Sequence, residues 1–475
     1  MKIVKLFIKS IYFFFEFIIA MALLKKEKKE YQAKKNILIT PLRGIDNAWI
    51  DYLLAIRFSS VYNITLIMMR PSSLPFNTAE KKSFFSIKVM LIWYEIKFYI
   101  LVFLLKVRGV NFTIVTIENC NKINKFDTNT ESLIETAKDE FYRRYFGYRE
   151  YKNSSLYLEI KFKVDCAFYN LYDCLILKVK DTDLIWTSHS IYEWRLPYSL
   201  AKLFDKKINV WGGSIYNNAL ISVSNGPLQT SVRKGYLQKD NRLDFDKRLN
   251  GGGIDQPTLF VDKFDEKLND FFQRNKNIVL LTPNCIWDGD ISDRDSVFNS
   301  LYEWVKSTID FSMNNKNVAV IVRFHPAEAS LWKNRPGLWK LFENIKQEDN
   351  QMFISPSSKV STIELAKKSN KVIFYSGILA LECLYLNIKP FCVSNSFYSY
   401  VKGVINVKNK KEYFKIIENP VNTNISSEGA ILYEDILCLG LKIFGKSNEL
   451  RSNPKFTYYG KQKEIEKYFC KLLNE

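Results

Sequence analysis

His325 is one of only two histidines in 475 residues, and it lies near the end of the run Val318-Ala319-Val320-Ile321-Val322-Arg323-Phe324-His325-Pro326-Ala327-Glu328. A β-branched apolar run of this kind reads as a buried, parallel strand, and Pro326 ends it. Arg323, His325 and Glu328 are therefore expected at the strand's carboxyl end, which is where open α/β sheets bind ligands. An imidazole beside a guanidinium suits an anion such as a nucleotide phosphate, and Arg can hold it bidentately. A histidine that only caps the strand is the plainer alternative.

A second constellation follows the apolar run Lys371 to Tyr375, which leads into Ser376-Gly377 and then a helical stretch, Ile378 to Leu386, containing Glu382. Glycine lets backbone approach a ligand, helix-start amides bind phosphate, and Ser376 adds a hydroxyl. Simple turn geometry also accounts for Ser-Gly. Glu382 sits in a helix that is apolar almost all round, so its carboxylate needs a partner. A nucleotide ribose would satisfy it, and so would a buried salt bridge. Asp288 and Asp290 in Trp287-Asp288-Gly289-Asp290 are candidate base, metal ligands or helix-entry acids.

These groups must be positioned by two α/β series. Strands are expected at Asn36 to Thr40, Ile64 to Met69, Asn111 to Thr116, Leu184 to Thr187 and Ile208 to Trp211. Helices are expected at Asn47 to Phe58, Glu131 to Tyr145 and Tyr192 to Phe204, with Asp46 in the first strand-to-helix loop. The second series has strands at Asn277 to Thr282, Val318 to Phe324, Met352 to Ile354, Lys371 to Tyr375 and Pro390 to Val393. Helices are expected between them at Asp295 to Met313, Leu338 to Ile345 and Ser361 to Lys368. The connection falls at about residues 250 to 275, after Gly251-Gly252-Gly253.

The resulting division is a membrane-associating segment at 1–30, a Rossmann-like domain at 31–265, a second Rossmann-like domain at 266–430, and helices packing back at 431–475. The fold class is α/β, with two Rossmann-like domains facing a central cleft and an N-terminal amphipathic helix.

Composition narrows the partners. The formal charge of +19 calls for a polyanion, but no zinc-finger, RNP-like or basic-zipper pattern occurs, so nucleic acid is not an expected partner. Eight cysteines without a CxxC pair read as buried thiols in a reducing cytoplasm. Residues 1–29 place lysines on both sides of an apolar stretch, Ile11 to Leu24, that Glu16 interrupts. This fits a peripheral anchor on the cytoplasmic face of the inner membrane, separable from the first strand; Phe84 to Leu105 is a second candidate. No DxD stands in the usual sugar-diphosphate setting, although Asp181-Thr182-Asp183 has the bare spacing. No metal ligand is assigned.

The block from Leu280 to Phe414 resembles the bacterial capsule polysaccharide biosynthesis proteins, a glycosyltransferase-like family of GT-B architecture. Thr282-Pro283-Asn284-Cys285-Ile286-Trp287-Asp288, Arg323-Phe324-His325-Pro326-Ala327-Glu328, and Ser361-Thr362-Ile363-Glu364-Leu365 running on to Tyr375-Ser376-Gly377 and Leu381-Glu382 carry the resemblance. The His-Pro element is similar to one in sialyltransferases and capsule Kdo transferases that contacts the donor's nucleotide phosphate. Asn387 stands where the family commonly has glycine, and Ser376-Gly377 carries fewer hydroxyls than the family's turn.

The resemblance implies transfer of a sugar from a nucleotide donor, with CMP or UDP as carrier, to a lipid-linked or growing surface glycan of capsule or lipopolysaccharide type. It implies no resident cofactor. Asn284, Asp288, Arg323, His325, Glu328, Ser376, Gly377 and Glu382 would meet the donor, and His325 would also act in catalysis. Asp46 and His189, the latter in Ser188-His189-Ser190, are the candidate bases of the first domain. Polyol-phosphate transfer of teichoic-acid type, or a non-catalytic role in capsule assembly or export, are the alternatives.

Overall fold

The computed structural model describes residues 35–42, 45–73, 84–116, 127–146, 155–187, 192–213, 220–224, 264–286, 296–329, 337–377, 379–394, 399 and 403–419, with nine residues of 11–22. Their strands form two six-stranded sheets, each within its own compact unit.

The first sheet contains β1 (Asn36–Thr40), β2 (Asn63–Met69), β3 (Asn111–Val115), β4 (Leu184–Thr187), β5 (Lys207–Gly213) and β6 (Leu220–Ser224). Its order is β3-β2-β1-β4-β5-β6, parallel except for the antiparallel edge pair β5 and β6. Between these strands lie α1 (Ile45–Phe58), α2 (Phe84–Val107), α3 (Thr128–Phe146), α4 (Ser155–Lys180) and α5 (Arg195–Leu203). Neither α4 nor β6 was expected from the sequence.

Residues 11–22 are helical where described, and Phe14, Phe17 and Met21 are buried in one core with Ile37, Leu53, Leu101 and Trp186. The inner side of this stretch thus packs into the first unit's core. Among the described residues no helix is long and apolar enough to cross a membrane.

The second sheet contains β7 (Ile278–Thr282), β8 (Ala319–Arg323), β9 (Gln351–Ile354), β10 (Lys371–Phe374), β11 (Pro390–Cys392) and β12 (Ile405–Asn406). All its pairs are parallel, in the order β12-β11-β10-β7-β8-β9. Its helices are α6 (Glu266–Arg274), α7 (Leu301–Asn314), α8 (Thr362–Lys368), α9 (Leu379–Tyr385) and α10 (Lys410–Glu418).

Strand alternation explains the continuous apolar runs. Val279, Leu281, Val320 and Val322 face Trp304, Val305 and Ile309 of α7 and Tyr413 of α10. Ile278, Leu280, Ala319 and Ile321 pack on the other side with Leu268 and Phe271 of α6 and Leu365 of α8. A sheet covered on both faces buries the side chains of β8, β9, β10 and β11 throughout, and each large apolar one contributes roughly 1.5–3 kcal/mol.

Local signals fix the helix starts. Ser300 Oγ accepts from Glu303 N (3.1 Å) while Glu303 Oε2 accepts from Asn299 N (2.7 Å), so α7 begins at Leu301. The expectation of a helix from Asp295 is corrected by that cap. Ser361 caps α8 in the same way, through Glu364 N (3.4 Å). The helix expected over Leu338 to Ile345 is only a 3-10 turn, Trp339–Leu341, whose preceding amides are taken by Glu328.

Asn387 adopts φ 58°, the left-handed conformation that Asn tolerates better than most residues, so its replacement of glycine leaves that turn intact. The connection expected at 250–275 lies outside the described residues as far as 263, and α6 occupies most of the remainder. The expected helices over 431–475 also lie outside them. Cys285, Cys383 and Cys392 are buried thiols and Cys174 is a half-buried one; Cys166 is disulfide-bonded, which corrects the expectation of thiols throughout.

Candidate functional site

In each sheet the first strand lies between the second and the fourth of its series, so the chain changes direction across the sheet at β1/β4 and at β7/β10. Strand exits diverge at such a switch point and leave room for a ligand. The second sheet gathers three exits there. After β7, Asn284 Oδ1 accepts from Ser376 N at 2.9 Å, tying this exit to that of β10. Cys285, the next residue, is buried against Ala327 beyond β8. Asn284, Ser376, Gly377 and the His325-Pro326-Ala327 turn thus form one connected rim.

The rim is held from below. Tyr375 O accepts from Cys392 Sγ (3.5 Å) and from Ser394 Oγ, which fastens the Ser376-Gly377 turn to the end of β11. Because Asn284 Oδ1 is used on Ser376 N, its amide nitrogen points toward Gly377. Among the described residues, a methyl group placed on Gly377 would meet only Asn284 Nδ2, at 3.9 Å.

His325 is exposed and N-caps the 3-10 turn Pro326–Glu328: its Nδ1 accepts from Ala327 N at 3.1 Å. An imidazole that accepts at Nδ1 carries its proton on Nε2. The plainer alternative, a histidine that caps, is what the Nδ1 contact shows.

Arg323 and Glu328 are placed differently from expectation. Arg323 is 2% exposed; its Nη1 donates to Phe324 O (3.1 Å) and Ser355 O (2.5 Å), and its Nη2 to Ser358 O (3.0 Å). Burial lowers its pKa to about 10, still cationic near neutrality. The guanidinium holds the 355–358 loop beside β8 and is not a phosphate clamp.

Glu328 is likewise buried and accepts from Leu338 N (3.0 Å) and Trp339 N (3.1 Å). Burial raises its pKa to about 7 against the opposing pull of those amides. It shapes the turn at Gly337, where an added Cβ would lie 2.2 Å from Glu328 Cδ. Sequence periodicity carried no signal for the Gly337 contact or for the Ser355 to Ser358 carbonyls.

Glu382 is buried in the first turn of α9. Asp46 is a residue of α1, not of the loop where it was expected, and its side chain lies outside the described residues. His189, Asp288 and Asp290 also lie outside them. Asp183 Oδ2 accepts from Asn36 N (2.8 Å) at the amino end of β4, away from the strand exits. Among the described residues no group of three or more His, Cys, Asp or Glu could hold a metal ion.

No protein-family model matches the chain, and no curated protein does. Among solved structures it is similar to a Thermosulfurimonas dismutans KpsC β-Kdo 2,4 transferase, with 11% identity over 56% of this chain and 85% of that one and a TM-score of 0.29. Methanocaldococcus jannaschii UDP-GlcNAc 2-epimerase gives 12% identity over 86% and 99%, with a TM-score of 0.25. Phytolacca americana UGT2, complexed with UDP-2-fluoro-glucose and pterostilbene, gives 9% identity over 90% and 99%, with a TM-score of 0.26. At such TM-scores these likenesses are recorded without weight, and the Rossmann order of both sheets rests on the strand pairing itself.

Proposed function

We propose that the chain is a glycosyltransferase of GT-B type that moves a sugar from a nucleotide-sugar donor to a growing bacterial surface polysaccharide. The observation that carries this reading is the linked rim at the second sheet's switch point, where Asn284 is bonded to Ser376 and an exposed His325 keeps its proton on Nε2. Asn284 Nδ2, Ser376 Oγ and His325 Nε2 are donors on adjacent strand exits. Donors fixed before reaction stabilise charge developing on a departing phosphate. Arg323 acts here as a positioning residue through the 355–358 loop. Asp46 and His189 remain the candidate bases, and Asp288 and Glu382 further donor contacts; Glu382 would accept from ribose hydroxyls.

Two variants separate the cap from the chemistry. His325→Asn keeps a capping acceptor and loses Nε2, whereas His325→Ala loses both; the cap is worth about 1 kcal/mol. Both variants should lower sugar transfer by on the order of 100-fold, and only His325→Ala should lower the melting temperature. One nucleotide among CMP, UDP, GDP and dTDP should raise the melting temperature of the unaltered chain, because ligand binding stabilises the native state. Full transfer by His325→Asn, or no stabilisation by any of the four, overturns the reading.

A further inference from the structure

The helix α2 (Phe84–Val107) has two apolar faces, and only one is used by the fold. Phe98, Leu101 and Leu105 recur at helical spacing and are buried in the first unit's core. On the opposite face Ile92 (60% exposed), Ile96, Tyr99, Ile100, Phe103 (64%) and Val107 (65%) form a continuous outer stripe. Sixteen residues of helix extend roughly 24 Å at 1.5 Å each.

The neighbouring helical residues of 11–22 repeat this pattern: Phe14, Phe17 and Met21 are buried, while Tyr12, Phe15 and Ile19 are exposed. The two stretches meet where Phe14 packs edge-on against Trp93, ring centroids 5.7 Å apart. Contiguous exposed apolar surface of this extent marks an interaction site.

The surroundings say what covers it. Exposed Lys106 lies one turn beyond Phe103, and Arg70 lies over the Tyr99 ring at 5.7 Å while its Nε donates to Glu95 Oε2 at 3.1 Å. Lys97 is buried against Tyr94 (4.7 Å) and Trp93 (5.6 Å) and lies on the inner side, apart from this rim. From Phe84 to Arg108 the sequence has Lys88, Lys97, Lys106 and Arg108 against the single acid Glu95, and Lys25, Lys26, Lys28 and Lys29 follow the other stretch. Apolar and aromatic side chains rimmed by cations match an anionic bilayer surface. A chain with a net charge of +19 is a poor electrostatic partner for a second copy of itself.

We infer that the outer faces of α2 and of residues 11–22 together form a surface that lies flat on an anionic lipid bilayer. The inner faces are occupied by the core, so these helices rest in the membrane plane. Attachment is thereby a property of the folded first unit and does not depend on the sugar-transfer reading.

The test uses the full chain and vesicles of phosphatidylcholine with or without phosphatidylglycerol. Sedimentation should show binding that requires phosphatidylglycerol and weakens with salt. Ile96→Glu/Phe103→Glu should reduce that binding by about tenfold or more with an unchanged melting curve. If this variant melts early, the uncharged Ile96→Ser/Phe103→Ser should still reduce binding by about threefold. Unchanged binding by a folded variant overturns the inference. So does a chain that ignores vesicles but is a dimer in ultracentrifugation and becomes monomeric on substitution.

Discussion

The two sheets share one strand order, yet their switch points are finished differently. At β1/β4, among the described residues, polar groups turn inward: Trp186 Nε1 donates to Asp51 Oδ1 (2.7 Å), Trp194 Nε1 donates to Thr40 O (3.0 Å), and Asp51, Thr40 and Thr187 are fully buried. At β7/β10 the contact between Asn284 and Ser376 leaves Ser376, Gly377 and Asn284 partly open and His325 exposed. Topology supplies a place for a ligand in both units; side-chain chemistry decides which place is dressed to hold one.

The comparison breaks most sharply at Gly337. Gly337→Ala drives a methyl into the Glu328 carboxylate, so it should cost roughly 3 kcal/mol or more in chemical denaturation and abolish the thermal response to nucleotide. Arg323→Met should follow at roughly 2–3 kcal/mol, because it strands the carbonyls of Phe324, Ser355 and Ser358. An Arg323→Met protein of full stability that has lost only nucleotide affinity would restore the guanidinium to the ligand.

Glu328 gives a pH signature. Its folded pKa of about 7 lies above the ordinary 4.5, so the native state holds the proton longer than the unfolded chain does. Stability from this group is present below pH 4.5 and is lost as pH rises through 7, by roughly 3 kcal/mol in all. Melts at pH 4.5 and 7.5 should show that slope, and Glu328→Gln should flatten it.

The smallest effect separates the two switch points directly. Asn284→Ala should cost about 1 kcal/mol of stability and weaken nucleotide binding about tenfold. Trp186→Phe should cost a similar 1–2 kcal/mol by unpairing Asp51, with nucleotide affinity unaltered in calorimetry. Equal loss of affinity in both variants would erase the distinction between the sheets.

Sequence reading located β1 and β4 to the residue and most other strands of both sheets within one or two, because β-branched runs between turn residues leave little choice of conformation. It placed Asn284, His325, Ser376 and Gly377 at strand ends, where they are found. It failed at Arg323 and Glu328, since a charged residue at a strand exit reads alike whether it meets a ligand or a backbone carbonyl. Nor does apolar periodicity reveal that Phe14, Phe17 and Met21 pack on the first unit's core, since it is the same for a helix packed on lipid and one packed on protein.

The sequence by itself therefore determined the local terms: strand positions, the helix start at Ser361, and the tolerance of Asn387 for its turn. Only the tertiary structure decided which polar groups were already satisfied. Hydrogen-bond partners such as Ser355 for Arg323, Leu338 for Glu328 and Ser376 for Asn284 lie ten to ninety-two residues away in the chain, and such pairings exist only once the sheets are assembled.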